Sequence, residues 1–419
     1  MHGSIIKYHR RKKKLKQAEL AKGICSVSYL SKLENDNIEP NEDILAMLYK
    51  RLEIDMHDFS VENIDIKEKI LEWYSHITAK EYDESYNMFN NLTKAMKYNN
   101  DPNAEHLFEV VHLCYTITFE TKEKAKKEYK RLLDKVNMFN DETKYYFYKF
   151  ESLIFYYDEK MKDALASLKK AEKLYTYIGI NDSALFYNLS VFHKRTYNLN
   201  KSIIYAMKAL DLSQEYLNFE VMVRSYLLIT TNYISIGEYE IAEEYLNKIN
   251  RVDERYITRE NKGIIYSLKG YIYYQRKEFD QALTYLHKAK GYRDQKTLVN
   301  TIYLFALVYI TTEANHEFKN KLIEGYNLCD KYGSDFNRYR FYILENKWKH
   351  TINDLTFITK MEQEIIPYFE KSGAQRELIS SLKLMGDIFY NKRQYKKSAE
   401  YYRRIQEFYK YSFPVEDYL

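Results

Sequence analysis

Turn-forming residues are scarce: only 4 prolines and 11 glycines punctuate 419 residues. A sheet protein of this length needs Gly, Pro, Asn or Asp at every hairpin, so the scarcity excludes an all-β fold and predicts helices joined by short turns. Cysteine is nearly absent as well. Cys25, Cys114 and Cys329 are odd in number and far apart, which leaves neither a disulfide framework nor a CxxC metal knuckle. The ten histidines form no HExxH, and GxxxxGK[ST], GxGxxG and GxSxG are all missing. No metal, cofactor or catalytic residue is therefore assigned, and the chain reads as a non-enzyme. Uninterrupted apolar runs stop far short of the about 20 residues that a membrane span needs, and the first residues lack a signal-peptide core. We expect a cytoplasmic protein with no membrane partner.

Aromatic and apolar residues, by contrast, are plentiful. The chain is 45% hydrophobic and 16% aromatic, with 45 tyrosines, far too much apolar area for disorder even at 30% charged residues. The net charge of +5 conceals an asymmetry. Residues 1–35 hold nine lysines and arginines against Glu19 and Glu34, a local charge of +7, so the remainder of the chain carries −2. A positive field confined to one end calls for a polyanionic partner.

That basic end is patterned rather than low in complexity. A first helix is expected from Ser4 to Lys14, and QAELA at 17–21 opens a second. The chain then turns at Gly23-Ile24-Cys25 and starts a third helix behind Ser26, with Leu30 and Leu33 facing inward. A fourth helix begins near Pro40-Asn41 and brings Ile44, Leu45, Leu48 and Leu52 to a small core with Leu20 and Ile24. Two short helices joined by a tight turn make a helix-turn-helix. Its outward positions Ser26, Val27, Ser28, Tyr29 and Lys32 are free to meet base edges and backbone in a major groove, while Gln17 at a helix start and Arg11 suit phosphates. The pattern QxELA, then YLSKLE, then a Pro-led helix resembles the Xre or lambda-repressor-like helix-turn-helix family over Gln17 to Ile54. The Ile24-Cys25 variant is similar to the readers of peptide-sensing regulators such as PlcR and NprR. The resemblance implies double-stranded DNA as partner, and we place this domain at residues 1–60.

Beyond it the sequence repeats itself. Tyr266, Gly270, Tyr273, Phe279, Ala282, Leu286 and Ala289 match the spacing of a tetratricopeptide unit, in which small residues let two antiparallel helices touch. Tyr226, Tyr233, Gly237, Tyr239, Ala242 and Leu246 repeat it upstream, as do Gly386, Phe389, Tyr395, Ser398 and Tyr402 downstream. The small residue of the second helix recurs at Ser85, Ala125, Ala164, Ser202, Ala242 and Ala282, in steps of 40, 39, 38, 40 and 40. From Ala282 to Ser398 the step is 116, room for about three more. The expected fold is therefore all-α: the small helix-turn-helix followed, over 61–419, by a right-handed tetratricopeptide-like superhelix of about nine helix pairs. Boundaries between 290 and 378 are soft. Most tyrosines then serve inter-helix packing, and what such an array offers is a concave groove.

An Xre-type reader followed by long tetratricopeptide-like repeats resembles the Gram-positive peptide-sensing group that includes Rap, Rgg, NprR, PlcR and PrgX, with length and repeat count most like NprR. The resemblance implies a transcription regulator controlled by a short imported signalling peptide, and a homodimer or tetramer built from the repeats. It also implies an alternative, a Rap-type protein that binds a response regulator of the sporulation phosphorelay or acts on its phosphoryl group. An extended peptide needs polar side chains that both donate and accept, as Asn does. We expect it near Asn188, Arg224, Asn232, Tyr271 and Asn300, on the first helices of four consecutive units.

Overall fold

The computed structural model describes residues 2–35, 37–53, 62–97, 99, 101–158 and 160–409. Every regular element among these is helical. The chain divides into two compact units, residues 1–179 and 180–419.

In the first unit, α1 (His2–Lys12), α2 (Gln17–Ala21), α3 (Val27–Glu34) and α4 (Glu42–Leu52) form the helix-turn-helix. Helix α1 starts and stops two residues earlier than the expected Ser4 to Lys14. Local chemistry sets the other starts. The Ser26 hydroxyl accepts the Tyr29 amide at the head of α3 (3.1 Å), and the Asn41 carboxamide accepts the amides of Asp43 and Ile44 at the head of α4 (2.9 and 3.3 Å). Gly23, at φ +74°, makes the left-handed turn between α2 and α3. Leu20, Leu30, Leu33, Leu45, Leu48 and Leu52 are buried together with Ile5, Ile6 and Tyr49. Ile24 and Ile44 pack half-buried at the edge of this core. Expected Ile54 lies outside the described residues.

Three helix pairs follow in the first unit: α5 (Glu62–Thr78) with α6 (Tyr82–Ala95), α7 (Pro102–Phe119) with α8 (Lys122–Leu133), and α9 (Asp141–Tyr157) with α10 (Met161–Ile178). The second unit continues with α11 (Ser183–Arg195) and α12 (Leu199–Glu215), α13 (Phe219–Ile236) and α14 (Tyr239–Lys248), α15 (Arg259–Gln275) and α16 (Phe279–Tyr292), then α17 (Leu298–Thr311) and α18 (Asn315–Tyr332). In the next pair, α19 (Asp335–Trp348) meets a helix that runs through α20 (Leu355–Lys360), a π turn at Met361–Ile365 and α21 (Ile366–Ser372). The π turn sits beside Pro367, which has no amide to give the α-helical ladder. Helices α22 (Gln375–Asn391) and α23 (Tyr395–Tyr409) complete the array, nine pairs among the described residues.

The repeat rests on one helix crossing. Ser85, Ala125, Ala164, Ser202, Ala242, Ala282 and Ser398 are all at or below 2% exposure. Each stands twelve residues after a position on the first helix, and four of these crossings show the contact directly. Ser190 and Ser202 exchange hydroxyl-to-carbonyl bonds (2.6 and 2.9 Å), Ser398 donates to the Gly386 carbonyl (2.8 Å), and the Trp73 indole donates to that of Ser85 (2.9 Å). At Gly270 even a methyl group would press on Leu286 and on the Ala282 carbonyl. The two degenerate units carry Phe318 and Ile358 at this register, both buried. Close backbone contact is given up there, which is why the pattern faded in the sequence.

The turns inside the pairs are more specialised than scarcity of glycine implied. Lys80, Tyr197, Gly237, Lys277, Glu313 and Arg393 each sit two residues before the second helix with φ between +57° and +88°. Only one of these left-handed positions is glycine; the others carry the steric cost of a Cβ.

Candidate functional site

On α3 the expected reading residues Ser26, Val27, Ser28 and Lys32 are exposed, Val27 at 45% although it is apolar. Tyr29 is half-buried, and its hydroxyl accepts the Asn41 amide (3.0 Å), so the ring is held in one orientation beside the exposed residues. Arg11 is exposed on α1. Gln17 opens α2, but its side-chain amide donates to Glu34 (2.7 Å), so what it offers outward is its oxygen and backbone.

Glu34 is the hub beneath this surface. Its carboxylate is fully buried and takes both Arg10 Nε (2.5 Å) and Arg10 Nη2 (2.8 Å), while Arg10 Nη1 reaches the Leu15 carbonyl (2.8 Å). One carboxylate thus ties α1, α2 and α3 together. Arg10 is consequently spent on the interior, and Lys13 is paired with Glu53 at 2.9 Å. The field toward a ligand comes from the exposed Arg11, Lys14, Lys16, Lys22 and Lys32. Within the same unit, the Tyr8 hydroxyl of α1 donates to Glu105 of α7 and its ring meets His106 edge-on, centroids 5.6 Å apart.

The second unit holds a cavity of about 1320 Å³, lined by the first helices α11, α13, α15, α17 and α19, by α22 and by the end of α21. Tyr271 and Asn300 line it. The Tyr271 hydroxyl accepts from Gln275 (2.5 Å) and from Arg376, 105 residues further on, whose guanidinium lies 5.1 Å from the ring centre. Asn188 and Arg224 are on the expected helices but not in the lining. Arg224 stacks on Tyr187, a lining residue, at 4.4 Å and pairs with Glu220 at 3.2 Å. Asn232 requires correction: it is fully buried, and its amide donates to Ser202 Oγ (2.8 Å) on α12. Periodicity placed it on the inner face, yet that position of α13 points into the preceding pair.

The residues missed by the sequence reading are the cations of the cavity wall. Lys194 donates to Thr231, and burial, aided by the charge of Arg376, pushes its ammonium down to about 7. Lys347 and Arg293 are also pushed down, chiefly by burial. Arg340 lies over the Tyr303 ring at 3.7 Å and faces Glu377 at 3.8 Å. Three buried polar atoms of the lining have no hydrogen-bond partner among the described residues: Arg293 Nε, Gln375 Oε1 and Ser381 Oγ. Donor and acceptor are both represented, which suits a ligand with peptide groups.

An exposed helix α3 on a basic domain, followed by helix pairs that line a cavity, defines a class: a helix-turn-helix domain carrying an array of helical repeats. Residues 6–59 match the Helix-turn-helix family HTH_3. The chain is 26% identical over 408 residues to the Transcriptional activator NprA of Geobacillus stearothermophilus, spanning 93% of this chain and 99% of that one. Its fold is that of the apo quorum sensor NprR from B. thuringiensis (TM-score 0.66, 21% identity, 83% of this chain and 99% of that one). A Rap protein complexed with Competence and Sporulation Factor shares it too (TM-score 0.68, 16% identity, 83% and 98%). The chain is thus similar in fold to NprR and to Rap, a helix-turn-helix domain followed by helical repeats.

Proposed function

We propose that this protein is a DNA-binding transcription regulator, with reader at 1–60 and array at 61–419, whose action on DNA is governed by a short signalling peptide held in the cavity of its repeats. The observation that carries the reading is the conjunction of the exposed α3 surface with a separate cavity whose buried Arg293, Gln375 and Ser381 atoms await partners. The similarity to a transcriptional activator, and to NprR solved in complex with its cognate peptide NprX, supports it. Bases would meet Ser26, Val27, Ser28 and Tyr29, and phosphates Arg11, Gln17 and Lys32. Tyr271 and Asn300 would contact the peptide, with Asn188 and Arg224 beside it.

One reader buries too little surface for tight specific binding, so we propose a homodimer or tetramer acting on paired half-sites in the cytoplasm. Footprinting on fragments of the source genome, with and without peptide, tests this. Ser28→Ala should relax preference at one base, whereas Lys32→Ala should weaken all sequences and flatten the salt slope. Protection of one isolated half-site at saturation would remove the dimer. The competing reading, a modulator of a phosphorelay response regulator with Rap-like phosphatase activity, shares the fold alone. Loss of phosphate from a phosphorylated response regulator on adding this protein would favour it.

A further inference from the structure

The cavity wall is strongly one-signed. Its lining includes Lys194, Arg195, Arg293, Arg340, Lys347 and Arg376 against a single carboxylate, Glu377, which already faces Arg340. Lys194, Arg293, Lys347 and Arg376 make no ion pair among the described residues, although elsewhere the surface is laced with such pairs. Lys194 and Arg376 reach the cavity from α11 and α22 and repel one another, with Thr231 and Tyr271 as their neutral partners. Lys194 and Arg293 are half-buried, and Lys347 and Arg376 exposed. The acidic charges felt by Arg293 (Glu260, Asp294), Lys347 (Asp387) and Arg376 (Glu377) lie beyond ion-pair distance, and an anion placed beside these cations offsets what burial and repulsion cost them.

Resting on the peptide reading above, we propose that the ligand is an acidic peptide, one of whose carboxylates bridges Lys194 and Arg376 while a second lies toward Arg293 and Lys347. The neutral donors and acceptors fit this assignment. Gln375 Oε1 needs a donor, which a peptide amide supplies, and Arg293 Nε needs an acceptor, which a carboxylate or carbonyl supplies. A basic peptide would bring like charges into a confined space, so the wall also rejects. The carboxylates can be side chains or the carboxy terminus. A small polyanion shares the charge but leaves most of a cavity of about 1320 Å³ unfilled and offers no amide to Gln375.

The test titrates the full-length protein calorimetrically with three octapeptide libraries of one backbone pattern, bearing two Asp, two Gln or two Lys at randomised positions, and with citrate. The acidic library should bind best. Arg376→Gln and Lys347→Gln should each weaken its binding by about 10- to 100-fold and leave the neutral library nearly unchanged. Arg376→Lys, which keeps the charge, should recover part of the loss, and unaltered thermal melts certify folding. Equal binding of all three libraries, or binding of citrate as tight as that of the acidic library, overturns the acidic-peptide assignment. The first result leaves the peptide reading standing; failure of every library in wild type removes both.

Discussion

Glu34 offers the sharpest test of how the DNA reader is held together. Its buried carboxylate accepts three hydrogen bonds, two from Arg10 and one from Gln17, at 2.5 to 2.8 Å. Glu34→Ala leaves the Arg10 charge buried and unpaired, which costs about 3–5 kcal/mol. A reader of roughly 50 residues, at roughly 0.05–0.15 kcal/mol per residue, holds only about 3–8 kcal/mol in all. Most of its margin would go. Glu34→Gln gives no rescue, because it sets an amide against donors already in place. Replacing both partners, Arg10→Met with Glu34→Leu, removes the charge along with its cage and should cost far less. Hydrogen exchange on the intact chain reads this directly, with amides of α3 as reporter and those of α13 as internal standard. Glu34→Ala should collapse α3 protection and spare α13. If α3 protection falls less than about tenfold, or the double variant is as exposed as the single one, the uncompensated-charge account is wrong.

Gly325 lies under the Phe341 ring, so that a Cβ there would enter the ring's contact distance; Gly325→Ala should destabilise by about 1–3 kcal/mol, outweighing the about 1 kcal/mol of helix propensity gained, and Phe341→Leu should relieve it. Urea midpoints of the single and double variants check this, and an additive pair refutes it. Lys277, exposed at φ +63° in the turn between α15 and α16, predicts that Lys277→Gly raises stability by roughly 0.5–1 kcal/mol in thermal melts, whereas Lys277→Val lowers it. Lys194 titrates near 7 in the folded chain against 10.5 as its ordinary value, so between those limits the unfolded state binds more protons. Its contribution to stability therefore rises with pH from about 7 to 10.5 and is flat below. The stability difference between wild type and Lys194→Met should shrink over that window, and a constant difference would contradict the assignment.

The helix-turn-helix was legible because its signals are local: Ser26 and Asn41 cap the helices they precede, and Leu30 and Leu33 share one face. The repeat was legible wherever a small residue marks the crossing, and it faded at Phe318 and Ile358, where size replaces closeness. Asn232 misled because register along a helix does not say which neighbour the helix leans on. Its amide belongs to Ser202. The cavity cations were invisible for a different reason: Lys194 and Arg376 are far apart in sequence, and only the stacking of helix pairs makes them neighbours. Arg10 shows the converse error, a cation counted toward DNA that the fold turns inward.

The uniform crossing has a consequence for how such a chain can change over generations. From Ala164 to Ala282 every crossing inside a helix pair has the small residue of the second helix at nearly the same spacing, so a duplicated or excised pair would carry its own internal joint with it. That stretch can lengthen or shorten in whole steps. Beyond it, Phe318, Ile358 and the π turn at Met361–Ile365 make each joint particular to its neighbours, and a transplanted unit would find no fitting surface. Arg340 and Lys347, on α19, belong to this fixed part. That wall of the cavity can drift only by single substitutions, while the opposite wall is free to be rebuilt by copying.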